Sequence, residues 1–333
     1  MPSYLDSLRG SFLNQTGWVS TLMLIFLAPI AVHAASFENE RSGNNTRVAN
    51  LTEEGSFAPN GKGPFETLWL PPGDLFEPLL ADPKQERFFL SYRHVRFRGD
   101  GLPAEGLGKT INAGVVGLGA SFGLWGLRKP ENNDGLQVDF LGAVFSQFNL
   151  DTSSDDLINS DFLVGLPITL RQGPFSARIR FFHQSSHLGD EFLLNNPTVQ
   201  RANVSFEEID SLFSFERHGL RLYGGGGYIF EGSDFKLDPL KAQWGVEWKG
   251  PIRPTPRLEQ VQVKPVFGAD FKSFEEQGWN ITVSLAGGLE WLREDSNNGI
   301  RILLVYLRGF MPFGQFFLTE KMENFGVEIQ FPL

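Results

Sequence analysis

The stretch Asn324-Phe-Gly-Val-Glu-Ile-Gln-Phe-Pro-Leu333 decides the fold. In an extended strand, successive side chains point to opposite faces. Phe325, Val327, Ile329, Phe331 and Leu333 then share one face, and Asn324, Gly326, Glu328 and Gln330 share the other. An open edge carrying that apolar row would template aggregation in water. It is tolerated where the sheet closes on itself and its greasy face meets lipid.

Working back from that end, a period of two persists to about Glu86. Trp279, Ile281, Val283, Leu285, Leu289 and Trp291 face away from Asn280, Thr282, Ser284 and Glu290. Val261, Val263, Phe267, Ala269 and Phe271 alternate with Gln262, Lys264, Asp270 and Lys272, and Leu240, Ala242, Trp244, Val246 and Trp248 with Lys241, Gln243 and Glu247. Further strands are predicted around 88–97, 110–127, 136–148, 162–170, 175–187, 203–216 and 220–230. Ile300 to Phe310 is apolar on both parities and has no readable orientation, and the parity of 203–216 is ambiguous. The total is about twelve strands, an even number as in single-chain bacterial barrels. The fold class expected is all-β: a transmembrane antiparallel β-barrel of about 12 strands with a short N-terminal periplasmic segment. A soluble sandwich or lipocalin-like barrel also alternates, but does not need Trp, Phe or Leu at nearly every outward position. The inward set, Arg178, Arg180, Lys264, Asp270 and Glu290, is mixed in sign, which suits a side-chain-filled lumen better than a wide pore.

Composition agrees. Among 333 residues there are 37 Gly and 32 Phe, few Met and no Cys, a balance that favours twisted strands over a helical core. The missing Cys excludes disulfide scaffolds, thiolate metal sites and Cys nucleophiles. A net charge of −10 argues against nucleic acid as a partner. Trp18 to Val32 is an apolar run after Arg9, and Val32-His33-Ala34 has the spacing of a cleavage site. Residues 1–34 are therefore expected to be a signal peptide, 35–85 a flexible leader and periplasmic docking segment, and 86–333 the barrel. Within the second part, Leu75-Phe-Glu-Pro-Leu-Leu-Ala-Asp-Pro83 is a short apolar piece between prolines, expected to dock on the barrel's mouth.

One strand carries candidate chemistry. In Phe175 to His187 the greasy row Phe175, Ala177, Ile179, Phe181 continues into His183, Ser185 and His187. Residues i and i+2 lie about 6.5–7 Å apart on the same face, so His183 can lean to Ser185 as base to nucleophile. Asn203 or Asp190 would orient the imidazole, and Gly189 offers a backbone N–H for an oxyanion. The competing reading makes these merely polar residues at the rim where a strand leaves the bilayer. A metal site from His183, His187 and Asp190 is disfavoured, because an i, i+4 His pair suits a helix. Gly224 to Gly227 lacks the Lys-Ser/Thr of a phosphate loop, and Glu207-Glu208 reads as solvated surface.

His183-Gln184-Ser185 resembles the His-Gln-Ser core of the outer-membrane phospholipase A family, a twelve-stranded barrel with lipid-facing catalytic His and Ser, and is similar to the His-x-Ser of lipid A 3-O-deacylases. Both families follow the Ser with Asn, where this chain has Ser186. The phospholipase resemblance implies calcium and a homodimer. The final strand resembles the assembly signal of outer-membrane barrels, with Leu in place of the usual Phe, which implies the barrel-assembly machinery as a partner. Over most of its length the chain resembles an uncharacterised bacterial family, domain of unknown function 1207, through Leu75 to Pro83, Phe182 to Glu191, Leu222-Tyr-Gly-Gly-Gly-Gly-Tyr228 and Phe313-Gly-Gln-Phe-Phe317. That family brings no established activity. The expectation is a bacterial outer-membrane barrel in contact with membrane lipids. It is either a lipid esterase with His183, Ser185 and Asn203 in its site, or a non-catalytic barrel serving as a narrow channel or an interaction protein.

Overall fold

Alternating side chains need two different surroundings, and the chain supplies them by closing its strands into a ring. The computed structural model describes residues 65–98, 109–129, 131–197, 199, 201–202, 204–232, 237–255, 260–293, 299–318 and 320–332. The expected signal peptide, Asn203 and Leu333 lie outside the described residues. The elements are β1 (Glu66–Trp69), β2 (Phe88–Phe97), β3 (Thr110–Arg128), β4 (Gly135–Asn149), β5 (Asp156–Gln172) and β6 (Phe175–Leu188), then helix α1 (Asp190–Asn195). They continue as β7 (Val204–Arg217), β8 (Leu220–Gly232), β9 (Leu240–Lys249), β10 (Arg253–Pro254), β11 (Val261–Phe274), β12 (Ile281–Arg293), β13 (Gly299–Phe310) and β14 (Lys321–Phe331).

Twelve strands, all but β1 and β10, form one antiparallel ring that β14 closes against β2. The tips β1 and β10 add short pairings to β3 and β11. Tight turns such as Gln172–Phe175 and Arg217–Leu220 lie at the end where β14 finishes, the turn end. The loop bearing α1 and the one holding a 3-10 turn at Gln315–Leu318 lie at the opposite, loop end. Among the described residues no helix is long and apolar enough to cross a membrane.

The molecule is inside out. Exposed rows run around the wall and include Leu90, Phe122, Phe140, Leu166, Phe181, Phe230, Trp248, Phe267, Leu304 and Phe325. The buried face carries Asp139, Asp161, Arg178, Arg180, Asp210, Arg221, Glu247, Asp270, Glu290 and Glu328. Leaving one large apolar side chain in water forgoes roughly 1.5–3 kcal/mol relative to burying it. A wall of them is stable only against an apolar solvent.

The lumen is filled from both ends. Pro71 to Arg87, between β1 and β2, lies inside the ring, with Leu75, Phe76, Leu79 and Leu80 almost completely buried. Lumen-facing side chains hold this plug from all round the wall. Lys272 Nζ reaches Asp82 at 2.6 Å, Arg180 reaches Glu86 at 3.1 Å, and Lys84 reaches Asp161 at 2.7 Å. Glu247 accepts the Leu80 N–H at 2.5 Å. The Phe76 ring lies under the guanidiniums of Arg221 and Arg178, 4.5 and 4.8 Å from its centre. This segment thus sits deeper than the mouth at which docking was expected.

At the loop end, Phe313 and Phe317 turn inward onto Phe145 and Phe206 as a cap. Gly314, at φ 72°, lets the cap approach Asn159, whose side chain a Cβ would meet at 2.8 Å. Its N–H donates to Asp161 at 3.0 Å, so one carboxylate ties cap and plug together. Between them remains a cavity of about 80 Å³ beside Asp82, Lys241 and Phe310, room for a few waters.

Candidate functional site

On β6 the parity expected from sequence is observed: Arg178, Arg180, Gln184 and Ser186 are buried inside, while Phe181, His183, Ser185 and His187 face outward. The neighbouring strand decides what they meet. Register sets Glu207 directly opposite His183 and Ser205 directly opposite Ser185. On the other flank, Val164 and Phe162 of β5 lie opposite His183 and Ser185.

The imidazole is held between two groups of β7. His183 Nδ1 lies 3.0 Å from Glu207 Oε1, and the Ser205 hydroxyl lies 3.4 Å from His183 Nε2. With the proton on Nδ1 donated to the carboxylate, Nε2 presents its lone pair to the hydroxyl. That is the order of a nucleophile, a base and an orienting acid. The 3.4 Å separation is longer than the 2.6–3.2 Å of proton transfer, and such contacts commonly tighten when substrate binds. His183 and Glu207 keep 40 % and 44 % of their side-chain surface exposed, so the constellation is open from outside the ring.

Ser185 is outward and adjacent, but the serine at Nε2 is Ser205. The orienting position is filled by Glu207, not by Asp190, which is exposed at the start of α1. Asn203 lies outside the described residues, so its place at the site is not given. The Gly189 N–H already donates to the Ile158 carbonyl at 3.0 Å, which removes it as an oxyanion donor. His187 packs edge-on against Phe162, ring centres 5.7 Å apart, opposite Ser160. Sequence reasoning missed Ser205 and read Glu207-Glu208 as solvated surface, whereas Glu208 is buried against Lys241 and only Glu207 is outward.

Calcium takes six to eight oxygen ligands, with carboxylates prominent among them. Glu207 is engaged by His183, and among the described residues no group of three His, Asp or Glu side chains is placed to hold a metal ion.

Fold and site define a class: a closed twelve-stranded β-barrel, apolar outside and charged inside, with a Ser-His-Glu constellation on its outer wall. Within that class, the chain belongs to the family described as protein of unknown function DUF1207, whose model matches residues 37–332. No curated protein matches it in sequence. Among solved structures it is similar to outer membrane phospholipase A from Escherichia coli, at 13 % identity and a TM-score of 0.49, over 74 % of this chain and 89 % of that one. LpxR from Salmonella typhimurium is similar over 74 % of this chain and all of that one, at 10 % identity and a TM-score of 0.36. The transport unit of the autotransporter AIDA-I from Escherichia coli covers 78 % of this chain and 94 % of its own, at 11 % identity and a TM-score of 0.39.

Proposed function

We propose that this protein is an outer-membrane acyl hydrolase that cleaves lipid esters at its outer wall, with Ser205 as nucleophile, His183 as general base and Glu207 as the orienting carboxylate. The observation that carries this reading is the imidazole bridging Glu207 and Ser205 on a face that otherwise meets lipid. The Ser205 oxygen attacks the ester carbonyl while its proton passes to His183 Nε2. As the carbonyl–alkoxy bond breaks, the same proton goes to the departing alcohol. Water, deprotonated by His183, then releases the fatty acid and restores the serine. Phe162, Val164 and Ile209 flank the site and give acyl chains an apolar bed. In this reading the turn end faces the periplasm, the loop end faces the cell exterior, and β14 is the strand offered to the barrel-assembly machinery. A channel role would require Pro71 to Arg87 to leave the lumen, which the buried ion pairs oppose.

The test is fatty-acid release, read by mass spectrometry, from phospholipid and from lipid A in mixed micelles. Native protein is compared with Ser205→Ala, Ser185→Ala and His183→Ala, each shown folded by heat-modifiable gel migration. Release lost in Ser205→Ala and His183→Ala but kept in Ser185→Ala is expected. Loss only in Ser185→Ala and His183→Ala returns the nucleophile to β6. No release by folded native protein from either lipid overturns the hydrolase reading.

A further inference from the structure

On the wall away from His183, the loop ends of β13, β14 and β2 carry a basic patch. Arg96, Lys109, Arg308 and Lys321 are exposed, and Arg98 stands beside them with 39 % of its side chain open. Arg96 and Arg308 lie on either side of Glu323 in register, so two strand spacings, roughly 10 Å, separate them. Glu323 offsets one charge of the set, chiefly that of Arg98. Its carboxylate is taken by Arg98, through Nε at 3.0 Å, and by the Tyr306 hydroxyl at 2.7 Å. Among the described residues, Asp151 at the same end is bound by the backbone and side-chain amides of Asn112, each at 2.8 Å. Arg96 and Lys321 have no carboxylate partner among the described residues. This surplus of cations belongs to a chain of net charge −10.

Its height on the wall matters as much as its sign. One outward row nearer the middle of the barrel come His94, Phe325 and Tyr306, and beyond them Tyr92, Val327 and Leu304. Phe325 and Leu304 are 63 % and 71 % exposed. The cations therefore begin where the lipid-facing rows stop, with tyrosines at the boundary, as at a bilayer's headgroup level. Guanidiniums present forked donors that match phosphate oxygens.

We propose that the loop-end wall formed by Arg96, Arg308 and Lys321 binds the phosphate groups of an anionic lipid seated in the outer leaflet, its acyl chains lying along Phe325, Val327 and Leu304. This rests on the outer-membrane placement above but not on the hydrolase chemistry, since the patch is on a different part of the wall.

The experiment measures retention of diphosphorylated lipid A by detergent-solubilised full-length protein, using native mass spectrometry. Arms with dephosphorylated lipid A, phosphatidylcholine and millimolar inorganic phosphate as competitor separate phosphate recognition from acyl packing and from free-ion binding. Retention of the phosphorylated lipid, at least tenfold weaker in Arg96→Gln/Arg308→Gln and weakened by added salt, is expected. Retention is measured in the Ser205→Ala background, so that hydrolysis of the probe does not enter the comparison, and Arg96→Gln/Arg308→Gln should weaken it there. Equal retention of the dephosphorylated lipid, an unchanged affinity in the double variant, or displacement by inorganic phosphate overturns the proposal.

Discussion

The two faces of β6 obey opposite rules. Inside, Arg180 is almost fully buried and bonded to both carboxylate oxygens of Asp210, at 3.0 and 2.6 Å, and to Glu86 of the plug. Outside, His183 and Glu207 form a pair open to the surroundings on a wall of Phe, Val and Ile. Removing one partner of a buried pair strands a charge and costs roughly 3–5 kcal/mol. The inner polar residues hold the barrel and its plug together. The outer ones make no contact with the plug, and under the proposed function they act on a molecule arriving from outside.

That contrast can be broken in order of expected effect. Ser205→Ala should lower kcat/KM for a lipid ester about 10⁴-fold, near 5.5 kcal/mol of barrier, while heat-modifiable migration stays native; a stability loss without an activity loss would reverse the contrast. Arg180→Met leaves Asp210 and Glu86 short of a partner and should cost roughly 3–5 kcal/mol in urea unfolding from micelles, with the outer wall unaltered. Leu80→Ala in the plug opens a hole against Val266, Ala286 and Leu303 and should cost about 2–4 kcal/mol in the same assay. Glu207→Gln keeps shape but removes the charge that steadies the imidazolium. A fall in kcat of about 10²-fold is expected with stability unchanged within about 0.5 kcal/mol. Ser185→Ala, the mildest, should alter kcat less than tenfold. A large loss there would move the nucleophile onto the histidine's own strand.

Where a strand's two faces met two clean environments, its parity was readable. In β14 Phe325, Val327 and Ile329 point out while Asn324, Glu328 and Gln330 are buried, as the alternation required. β6 reads equally well, which is why His183 and Ser185 could be placed outward from sequence. The strands that resisted are those facing the plug and cap. In β13, Leu303 is inward because it packs on Leu80 and Ala81. In β7, Phe206 is inward against the cap's Phe317, and Leu212 against the plug's Phe76 and Leu79. Apolar residues inside a polar lumen erase the period-two signal. With β7 unreadable, Ser205 and Glu207 cannot be assigned to the outer wall from sequence, and Asn203 is the expected partner only because it opens the neighbouring strand. The plug's own side chains, Leu75 to Leu80, announced burial but not the partner that would bury them.

The seam between β2 and β14 also reaches the interior. The plug runs directly into β2, and its Leu80 carbonyl is bonded by Gln330 of the final strand, 250 residues later, at 3.4 Å. Arg87 likewise reaches Glu328, at 3.6 Å. The plug's partners thus include the strand that shuts the ring. Such long-range pairing is slow to form. The strand that shuts the ring is also one that grips the plug, so closing the wall and fixing the interior are a single set of contacts.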